Sequence, residues 1–481
     1  MFQPMRTAGT KTYHGLFGPT GLARAHLAHP GSGTMAVLLA LGLIVSLVAA
    51  SCQWPARTRT VLGPIDGGGG YEVSSVWMGR EPTIRVRIVE PIDEVVIAGA
   101  RLVLARDPAG GIKIYRTPLL ARASDGVLTL SEPGGATHRI SGFIDLESAD
   151  PREPGAANPN TLGWYKDAPT IAVQGVPYAG SVRLTASAAG VQAVNELELD
   201  RYVAAVASRE LYASWDLAAY EAQCIAARSY ALHSMALADR RGRAWQVESG
   251  VIDQAYPGHT QHERSISAAI NTRGRVLAYG GGVLRGYYSS TSGGRSGSAA
   301  DTWPTGPGFE YNLAPPLQAG LSPQRTVHAS DASRFHRWQV VRSTDDVTKR
   351  LRAWGERSGH TLKSARAVTN IEVARTNRVG RPAQYRVGER NGVSHLLSAE
   401  QLRIALNAGA RGLKDVGGDE RVRSGDFEVT AAGSRFVIRG RGFGHGVGMC
   451  QFSAQALAQR GWDAERILLN FYPEAEIQRA Y

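Results

Sequence analysis

The stretch Asn195-Glu-Leu-Glu-Leu-Asp-Arg-Tyr-Val-Ala-Ala-Val-Ala-Ser-Arg-Glu-Leu211 marks a change from strand-like to helical sequence. From Leu197 to Leu211 its apolar residues recur with the spacing of one helix face, which predicts a helix. Ser214 or Asp216 can cap a second helix, predicted from Leu217 to about Ala238. Together the two segments predict a helical hairpin.

Short β-strands are predicted on both sides of this hairpin. Apolar and polar residues alternate from Pro82 onward, and Gly, Pro and Asp separate the alternating runs. Strand-like runs return after Gly274, and a helix is predicted from Asp345 to Arg357. The pattern indicates an α+β fold, mostly β, in which the helical hairpin carries Glu210, the candidate catalytic residue.

These changes of pattern suggest the domain boundaries. The predicted segments are an N-terminal extension with a signal and lipobox (1–52), a flexible linker (53–81), a β-rich part (82–194), a core with the hairpin and a Ser/Gly loop (195–304), an insertion or second subdomain (305–426), and a C-terminal glycine-rich motif with a helix that completes the core (427–481).

An apolar run near the N-terminus predicts export. Met35 to Ala50 is short for a membrane-spanning helix and suits the apolar part of a secretory signal. Small residues lead directly to Cys52, as in a bacterial lipobox, which predicts a lipidated, membrane-anchored protein of the cell envelope. Two alternatives stay open: the run is kept as an anchor, or it forms a buried helix.

The net charge and the residue composition limit the classes of molecule that the protein is expected to bind. The net charge of +12 fits an anionic polymer such as cell wall, and no compact Lys/Arg run or base-stacking pattern predicts nucleic acid binding. The sequence leaves open whether Cys224 and Cys450 form a disulfide. His259 and His262 have metal-ligand spacing, but further ligands are missing from the pattern. We therefore predict neither a metal nor another cofactor.

A second conspicuous stretch runs from Gly440 to Gly448, where every second residue is glycine. So many glycines weaken a core strand and suit a backbone that bends sharply or lets a ligand approach. His445 stands between two of these glycines, and a helical segment from Ala454 to Arg460 follows. The alternative is a glycine-rich hairpin with an incidental histidine.

Glu210 has the surroundings expected of a general acid. It lies at the predicted end of its helix, where the partial negative charge of the helix disfavours a carboxylate. Tyr212 and Trp215 nearby can reduce its access to water. Both effects favour the protonated form that a general acid needs. The alternative is a solvated glutamate at a helix end.

Other polar residues are candidates for substrate contacts. Gln223 and Arg228 lie in the second predicted helix, where Arg228 could hold Glu210 or a substrate anion, or could be a surface arginine. Ser290 and Ser292 belong to a Ser/Gly loop that can donate hydrogen bonds to sugar or carbonyl oxygens, or can be a mere turn. We expect Arg228→Ala to weaken activity more than folding.

The chain resembles the SpoIID/LytB family, the stage II sporulation protein D group of peptidoglycan-active proteins. The resemblance rests on ordered motifs spread over most of the chain beyond residue 82. The matching segments are 196–203, 206–211, Trp215, 221–232, 253–258, 287–294 and 440–452.

This resemblance implies lytic transglycosylase activity on peptidoglycan glycan strands, and Glu210 falls on the family's catalytic glutamate. Some relatives instead enhance a cell-wall amidase, so the alternative is a non-catalytic peptidoglycan-binding module that recruits or stimulates such an enzyme. The residues assigned to substrate binding around Glu210 are Gln223, Arg228, Ser290, Ser292, His445 and Gln451.

The sequence also departs from the family pattern. Ser289 stands where the family often has histidine. The segment from Val247 to Tyr256, where some relatives bind zinc, has neither Cys nor His, so a zinc site is not carried over. Cys450 stands where Ser is frequent, which opens a rival hypothesis in which His445 activates Cys450 as a nucleophile.

Overall fold

The structure is a computed structural model, and it describes residues 71–72, 80–150, 158–250, 252–322 and 326–481. The predicted signal run and Cys52 lie outside the described residues. Two compact units divide the chain. Among the described residues, the larger unit contains those up to Ser289, with Pro304–Ser330 and Val447–Tyr481, and the smaller unit contains Ser290–Trp303 and Asp331–Gly446.

The described residues form twenty-five β-strands, five of which are only two residues long. The strands are β1 (Tyr71–Glu72), β2 (Thr83–Ile92), β3 (Glu94–Ala98), β4 (Leu102–Arg106), β5 (Ile112–Arg116), β6 (Leu119–Ser124), β7 (Val127–Ser131), β8 (Thr137–Ser141), β9 (Phe143–Ser148), β10 (Thr170–Val173), β11 (Val176–Ala179), β12 (Ser181–Ser187), β13 (Gly190–Glu198), β14 (Val247–Glu248), β15 (Arg275–Tyr279), β16 (Gly282–Val283), β17 (Tyr288–Ser289), β18 (Trp338–Ser343), β19 (Val368–Thr376), β20 (Pro382–Glu389), β21 (Ser394–Ser398), β22 (Phe427–Ala432), β23 (Arg435–Gly440), β24 (Met449–Cys450) and β25 (Glu476–Arg479).

The described residues also form nine α-helices. They are α1 (Leu162–Lys166), α2 (Leu199–Glu210), α3 (Leu217–Arg240), α4 (Glu263–Asn271), α5 (Ala299–Thr302), α6 (Thr344–Ser358), α7 (Ala399–Leu406), α8 (Gln451–Ala458) and α9 (Ala464–Phe471). The predicted α+β class is confirmed. Among the described residues, no helix has the length and apolarity needed to cross a bilayer.

Two large sheets form most of the β part of the larger unit, which also contains the four-stranded sheet β1-β16-β15-β25. One has the strand order β14-β2-β13-β12-β9-β4-β5 and the other β11-β10-β3-β6-β7-β8. Their apolar side chains alternate as predicted; in β3, for example, Val95 and Ile97 are buried while their neighbours are half-buried. Side chains from both sheets and from α2 and α3 share one hydrophobic core.

The helical hairpin is the pair α2 and α3. Helix α2 begins two residues later than predicted, because Leu197 and Glu198 extend β13 and pair with β2. Asp216 occupies the N-cap position of α3, but its side chain makes no capping hydrogen bond. Its Oδ2 instead accepts a hydrogen bond of 2.5 Å from Gln455 of α8, which ties the start of α3 to the C-terminal segment.

The rest of the larger unit joins the C-terminal segment to the hairpin region. Strands β17 and β24 form a short parallel pair, in which Tyr288 lies opposite Met449 and Ser289 opposite Cys450. The pair fixes the point at which α8 begins, so Gln451 is the first residue of that helix. The sequence predicted this helix three residues later.

The smaller unit has its own core. Two three-stranded sheets, β18-β23-β22 and β19-β20-β21, pack with α6 and α7 around side chains such as Leu351, Tyr385 and Phe436. The prediction of a helix from Asp345 to Arg357 is confirmed by α6. Ser343 caps its start by accepting from the Asp346 N–H, and Gly359 ends it in a left-handed conformation.

Candidate active site

Glu210 is the last residue of α2, and two donors hold its carboxyl group. The Ala255 backbone N–H donates to Oε1 at 3.4 Å, and Gln451 Nε2 donates to Oε2 at 3.2 Å. Ala255 follows the β14 region, and Gln451 begins α8. Three segments far apart in sequence therefore fix one partly buried carboxyl group.

A second glutamine continues this arrangement. Gln451 Nε2 also donates to Gln223 Oε1, at 3.3 Å. Gln223 lies on α3 and is fully buried, and within the described residues its Nε2 has no hydrogen-bond partner. The structure thus brings together three of the residues predicted for the site, Glu210, Gln223 and Gln451.

Burial controls the charge of Glu210. Removal from water raises the pKa of its carboxyl group, because the charged form loses hydration. The hydrogen bonds from Gln451 and Ala255 and the positive charge of Arg209 oppose this shift without cancelling it. The net upward shift favours the neutral acid over a wider pH range than an exposed glutamate would allow.

Tyr288 lies close enough to Glu210 for their charges to interact. Burial raises the pKa of the Tyr288 phenol well above its usual range, and the negative charge of Glu210 raises it further. Gln254 Nε2 donates to the Tyr288 hydroxyl at 3.0 Å, and the Tyr202 hydroxyl donates to Gln254 Oε1 at 3.2 Å. Tyr288 thus stays a neutral phenol beside the carboxyl group.

Sequence reasoning did not select Tyr288 as a site residue, although it lies in one of the motifs. The available signal was its position: it directly precedes Ser289 and the Ser/Gly loop, in a strand only two residues long. That strand pairs with the residues immediately before Gln451. Only this pairing places Tyr288 and Gln451 in one region.

Arg228 does not occupy the place predicted for it. Its side chain is 0% exposed and forms an ion pair with Asp200, which is also 0% exposed. Arg228 Nε donates to Asp200 Oδ1 at 2.7 Å, and Arg228 Nη1 donates to the Arg275 carbonyl oxygen at 3.0 Å. Arg228 is therefore neither a surface arginine nor a partner of Glu210, and its burial rules out direct contact with a polymer substrate.

Ser290, Ser292 and His445 belong to the smaller unit. There two backbone hydrogen bonds join the Ser/Gly loop to the glycine motif. The Thr291 N–H donates to the Phe443 carbonyl oxygen and the Phe443 N–H to that of Thr291, with N···O distances of 3.2 and 2.8 Å. The His445 ring packs edge-on against Trp303, at 4.8 Å between ring centres. The two predicted loops thus lie side by side.

A buried arginine fixes these two loops. Arg381 Nη1 donates to the carbonyl oxygens of Ser292 and Arg295, at 3.2 and 3.0 Å, and Nη2 donates to that of His445, at 3.0 Å. The Asp426 carboxylate lies 3.7 Å from the guanidinium. Sequence reasoning missed Arg381, because nothing in its local pattern connects it with either loop.

Cys224 and Cys450, whose pairing the sequence left open, are buried thiols and form no disulfide. Burial raises the pKa of the Cys224 thiol to about 12. Cys450 is almost completely covered, and the Ser453 hydroxyl lies 3.2 Å from its sulfur. A sulfur so enclosed cannot reach a polymeric substrate, which removes the main support for Cys450 as a nucleophile.

The two histidines with metal-ligand spacing have other partners. His262 Nδ1 accepts from the Ser265 N–H at the start of α4, and its ring stacks on Tyr220. His259 Nε2 lies 2.9 Å from Gln261 Nε2. Among the residues that the structure describes, no three His, Cys, Asp or Glu side chains come together as a metal site.

Comparison with known proteins agrees with the motifs. The family model described as Stage II sporulation protein (SpoIID) matches residues 187–279, which include both helices of the hairpin and Glu210. A model for a domain of unknown function, DUF8618, matches residues 317–448, which cover most of the smaller unit.

Curated relatives are similar over longer stretches. An uncharacterized protein of Brachyspira hyodysenteriae is 24% identical over 325 residues, covering 66% of this chain and 78% of the relative. The amidase enhancer of Bacillus subtilis is 25% identical over 288 residues, covering 56% and 39%. Stage II sporulation protein D of Bacillus subtilis is 23% identical over 303 residues, covering 60% and 77%. With the SpoIID match across the helical hairpin, these similarities agree with the resemblance of the chain to the SpoIID/LytB family.

Proposed function

We propose that this protein cleaves peptidoglycan glycan strands as a lytic transglycosylase, with Glu210 as the only acid and base. The coarser statement, a role at the cell wall, is supported by the match of residues 187–279 to the SpoIID family model and by the similarity to the amidase enhancer of Bacillus subtilis. The observation that carries the finer proposal is the state of Glu210. It is a single, partly buried carboxyl group with a raised pKa, held by a fixed amide donor.

One carboxyl group is sufficient for this reaction. Neutral Glu210 donates its proton to the glycosidic oxygen between N-acetylmuramic acid and N-acetylglucosamine, and the bond from that oxygen to C1 breaks. The C6 hydroxyl of the muramic residue attacks C1, and its proton passes to the Glu210 carboxylate. The product is a 1,6-anhydro sugar, no water is consumed, and the acid is restored. A hydrolase would need a second carboxylate as nucleophile or water base.

The contacts around Glu210 suit an acid that alternates between two charge states. Gln451 stabilises the carboxylate formed after proton transfer, while burial favours the acid before it. Both donors are 3.2 Å or more from the carboxyl oxygens, which is long for a charge-assisted hydrogen bond. Neither the neutral nor the ionised form of the Glu210 carboxyl group is then strongly favoured over the other, so Glu210 can both donate and accept the proton.

The other polar residues assigned to the substrate are divided between the two units. Gln223 is completely buried in the larger unit, so its proposed part is to position Gln451, whose Nε2 donates to Gln223 Oε1. In the smaller unit, Ser290, Ser292 and His445 are our candidates for further contacts to the glycan strand. Arg228 is not among these candidates, because it is completely buried in an ion pair with Asp200.

The alternative function is a peptidoglycan-binding module that stimulates a cell-wall amidase. It is favoured by the similarity to the amidase enhancer of Bacillus subtilis. An envelope location with a lipid anchor at Cys52 stays a prediction from the sequence, which mass spectrometry of the mature N-terminus would check.

Digestion of peptide-stripped glycan strands by the purified protein tests the proposal. We expect glycan fragments that end in 1,6-anhydro-N-acetylmuramic acid, and we expect their rate of formation to fall at least about 100-fold in Glu210→Gln, because a general acid and base contributes this much to rate. Glu263→Gln is the control, since Glu263 is an exposed carboxylate of the same unit that pairs with Lys166. Undiminished product from Glu210→Gln would refute the mechanism. Strand binding without product, with faster turnover by an added amidase, would support the alternative.

A further inference from the structure

Three aromatic rings form a cluster next to Glu210. The rings of Tyr212 and Trp215 are 5.3 Å apart, those of Trp215 and Phe452 are 5.1 Å apart, and those of Tyr212 and Phe452 are 5.9 Å apart. Trp215 is 8% exposed, whereas Tyr212 is 41% exposed. Tyr212 therefore presents part of an aromatic surface to solvent, with two further rings supporting it.

The backbone that carries these rings is held on several sides. The Tyr220 hydroxyl donates to the Tyr212 carbonyl oxygen at 3.0 Å. Arg264 Nη1 donates to the carbonyl oxygens of Ala213 and Trp215, at 2.6 and 2.7 Å. These bonds come from α3 and α4, so Tyr212 is exposed on a segment that the surrounding helices fix in place.

The cluster and the acid are positioned by the same two segments. Tyr212 follows Glu210 by two residues, which places their Cα atoms within about 7 Å. Phe452 directly follows Gln451, the donor to Glu210. At this distance one ring of a polysaccharide can lie on Tyr212 while a neighbouring linkage reaches the carboxyl group.

We propose that Tyr212, supported by Trp215 and Phe452, is a sugar-binding surface on which one N-acetylated pyranose ring of the glycan strand stacks. The inference rests on the proposed function, since it takes a glycan as the ligand. The C–H face of a pyranose is apolar and matches an aromatic surface in size. A fixed tyrosine supplies this contact at little cost in conformational entropy.

Binding without cleavage tests this surface separately from catalysis. In the Glu210→Gln background, we would measure the Kd for peptide-stripped glycan strands by calorimetry. We expect Tyr212→Ala to weaken binding about tenfold, and Tyr212→Phe to change it less than about twofold, because Phe keeps the ring. Ile114→Ala is the control: Ile114 is an apolar side chain of the same unit, 60% exposed on β5.

The outcomes are distinguishable. Equal glycan affinity of the Tyr212→Ala and parent proteins would overturn the sugar-binding surface. So would unchanged affinity combined with weaker stimulation of an added amidase, which would make this a protein-docking site. If Tyr212→Ala melts much lower than the parent, Tyr212→Leu replaces it, and we expect the same loss of affinity. Persistent cleavage by Glu210→Gln would remove the proposed mechanism and leave the stacking result standing.

Discussion

At the scale of single residues, Gln451 has the most direct influence on Glu210. Its amide nitrogen donates to the Glu210 carboxyl group and to the Gln223 carbonyl oxygen, so both of its N–H bonds are directed. A donor to the carboxyl group favours the ionised form. Gln451 thus limits the rise in pKa that burial imposes on Glu210.

Gln451→Leu should therefore shift the pH dependence of cleavage. Without the donor, the pKa of Glu210 rises further and the acid keeps its proton to higher pH. The alkaline limb of the plot of kcat against pH therefore shifts to higher pH. We expect kcat at its optimum to fall about tenfold, because the carboxylate formed after proton transfer loses a hydrogen bond. Digestion rates measured across the pH range check this.

Gln459→Leu is the matched control, because Gln459 is exposed at the C-cap position directly after α8. Its profile should coincide with that of the parent protein. If the alkaline limb of Gln451→Leu also stays in place, the hydrogen bond from Gln451 does not set the protonation of Glu210 in solution.

At the scale of secondary-structure elements, the pair of Asp200 and Arg228 joins the two helices of the hairpin. Asp200 lies in the first turn of α2 and Arg228 in the middle of α3, and both side chains are completely buried. Removing one member of a buried pair leaves the other charge uncompensated. The structure therefore changes the expectation that Arg228→Ala affects activity more than folding.

Arg228→Met should lower the free energy of unfolding by about 3–5 kcal/mol, the usual loss for a broken buried pair. Activity should fall with the folded fraction. Urea denaturation and digestion assays on the same samples check both. The control is Arg275→Met, because Arg275 pairs with Glu465 at the surface, at 36% and 52% side-chain exposure, and such pairs are worth less than about 1 kcal/mol. A stable but inactive Arg228→Met would show a role beyond packing.

Element type was predictable from the sequence where one local period dominates. Helices α3 and α6 lie where the sequence predicted helices, although the Asp216 side chain at the N-cap position of α3 makes no capping hydrogen bond. The predicted helix boundaries were wrong where pairing with a strand distant in sequence sets the boundary. Leu197 extends a strand because Ile84 pairs with it, and α8 begins earlier than predicted because Cys450 pairs with Ser289. Neither pairing partner can be inferred from the residues near the boundary.

The same limit applies to the candidate site. Glu210 stood out by its place at a helix end and by the family motifs, and Gln223 and Gln451 by the motifs alone. The burial of Arg228 depends on Asp200, 28 residues earlier, and the role of Arg381 on three carbonyl groups in two distant loops. Such contacts between distant residues were out of reach of a single sequence.

At the scale of the whole larger unit, one buried charge network connects distant parts of the chain. Glu81 precedes β2, and its Oε1 accepts from the Asp200 N–H at the start of α2, at 2.7 Å. Its Oε2 accepts from Arg273, just after α4, at 2.6 Å. Asp200 in turn pairs with Arg228 on α3. The network thus joins the β-sheet region to three helices.

Glu81 makes this network sensitive to pH. Burial and then the neighbouring charge of Asp200 raise its pKa to about 8, and the hydrogen bond from the Asp200 N–H and the charge of Arg273 only partly oppose them. The folded state therefore holds a proton that the unfolded chain releases near the ordinary glutamate pKa of 4.5. The stabilisation is complete below that value, declines as pH rises, and is lost once pH passes about 8.

Glu81→Gln should remove this decline, since Gln keeps an oxygen for the Asp200 N–H and has no proton to release. Between pH 5 and pH 8 we expect the Tm of the parent protein to fall by at least about 2 °C more than that of the variant. Glu465→Gln is the control, because it removes a surface carboxylate and should follow the parent protein. Parallel Tm profiles for Glu81→Gln and the parent would mean that Glu81 is ionised in the folded protein, and that Arg273 outweighs burial.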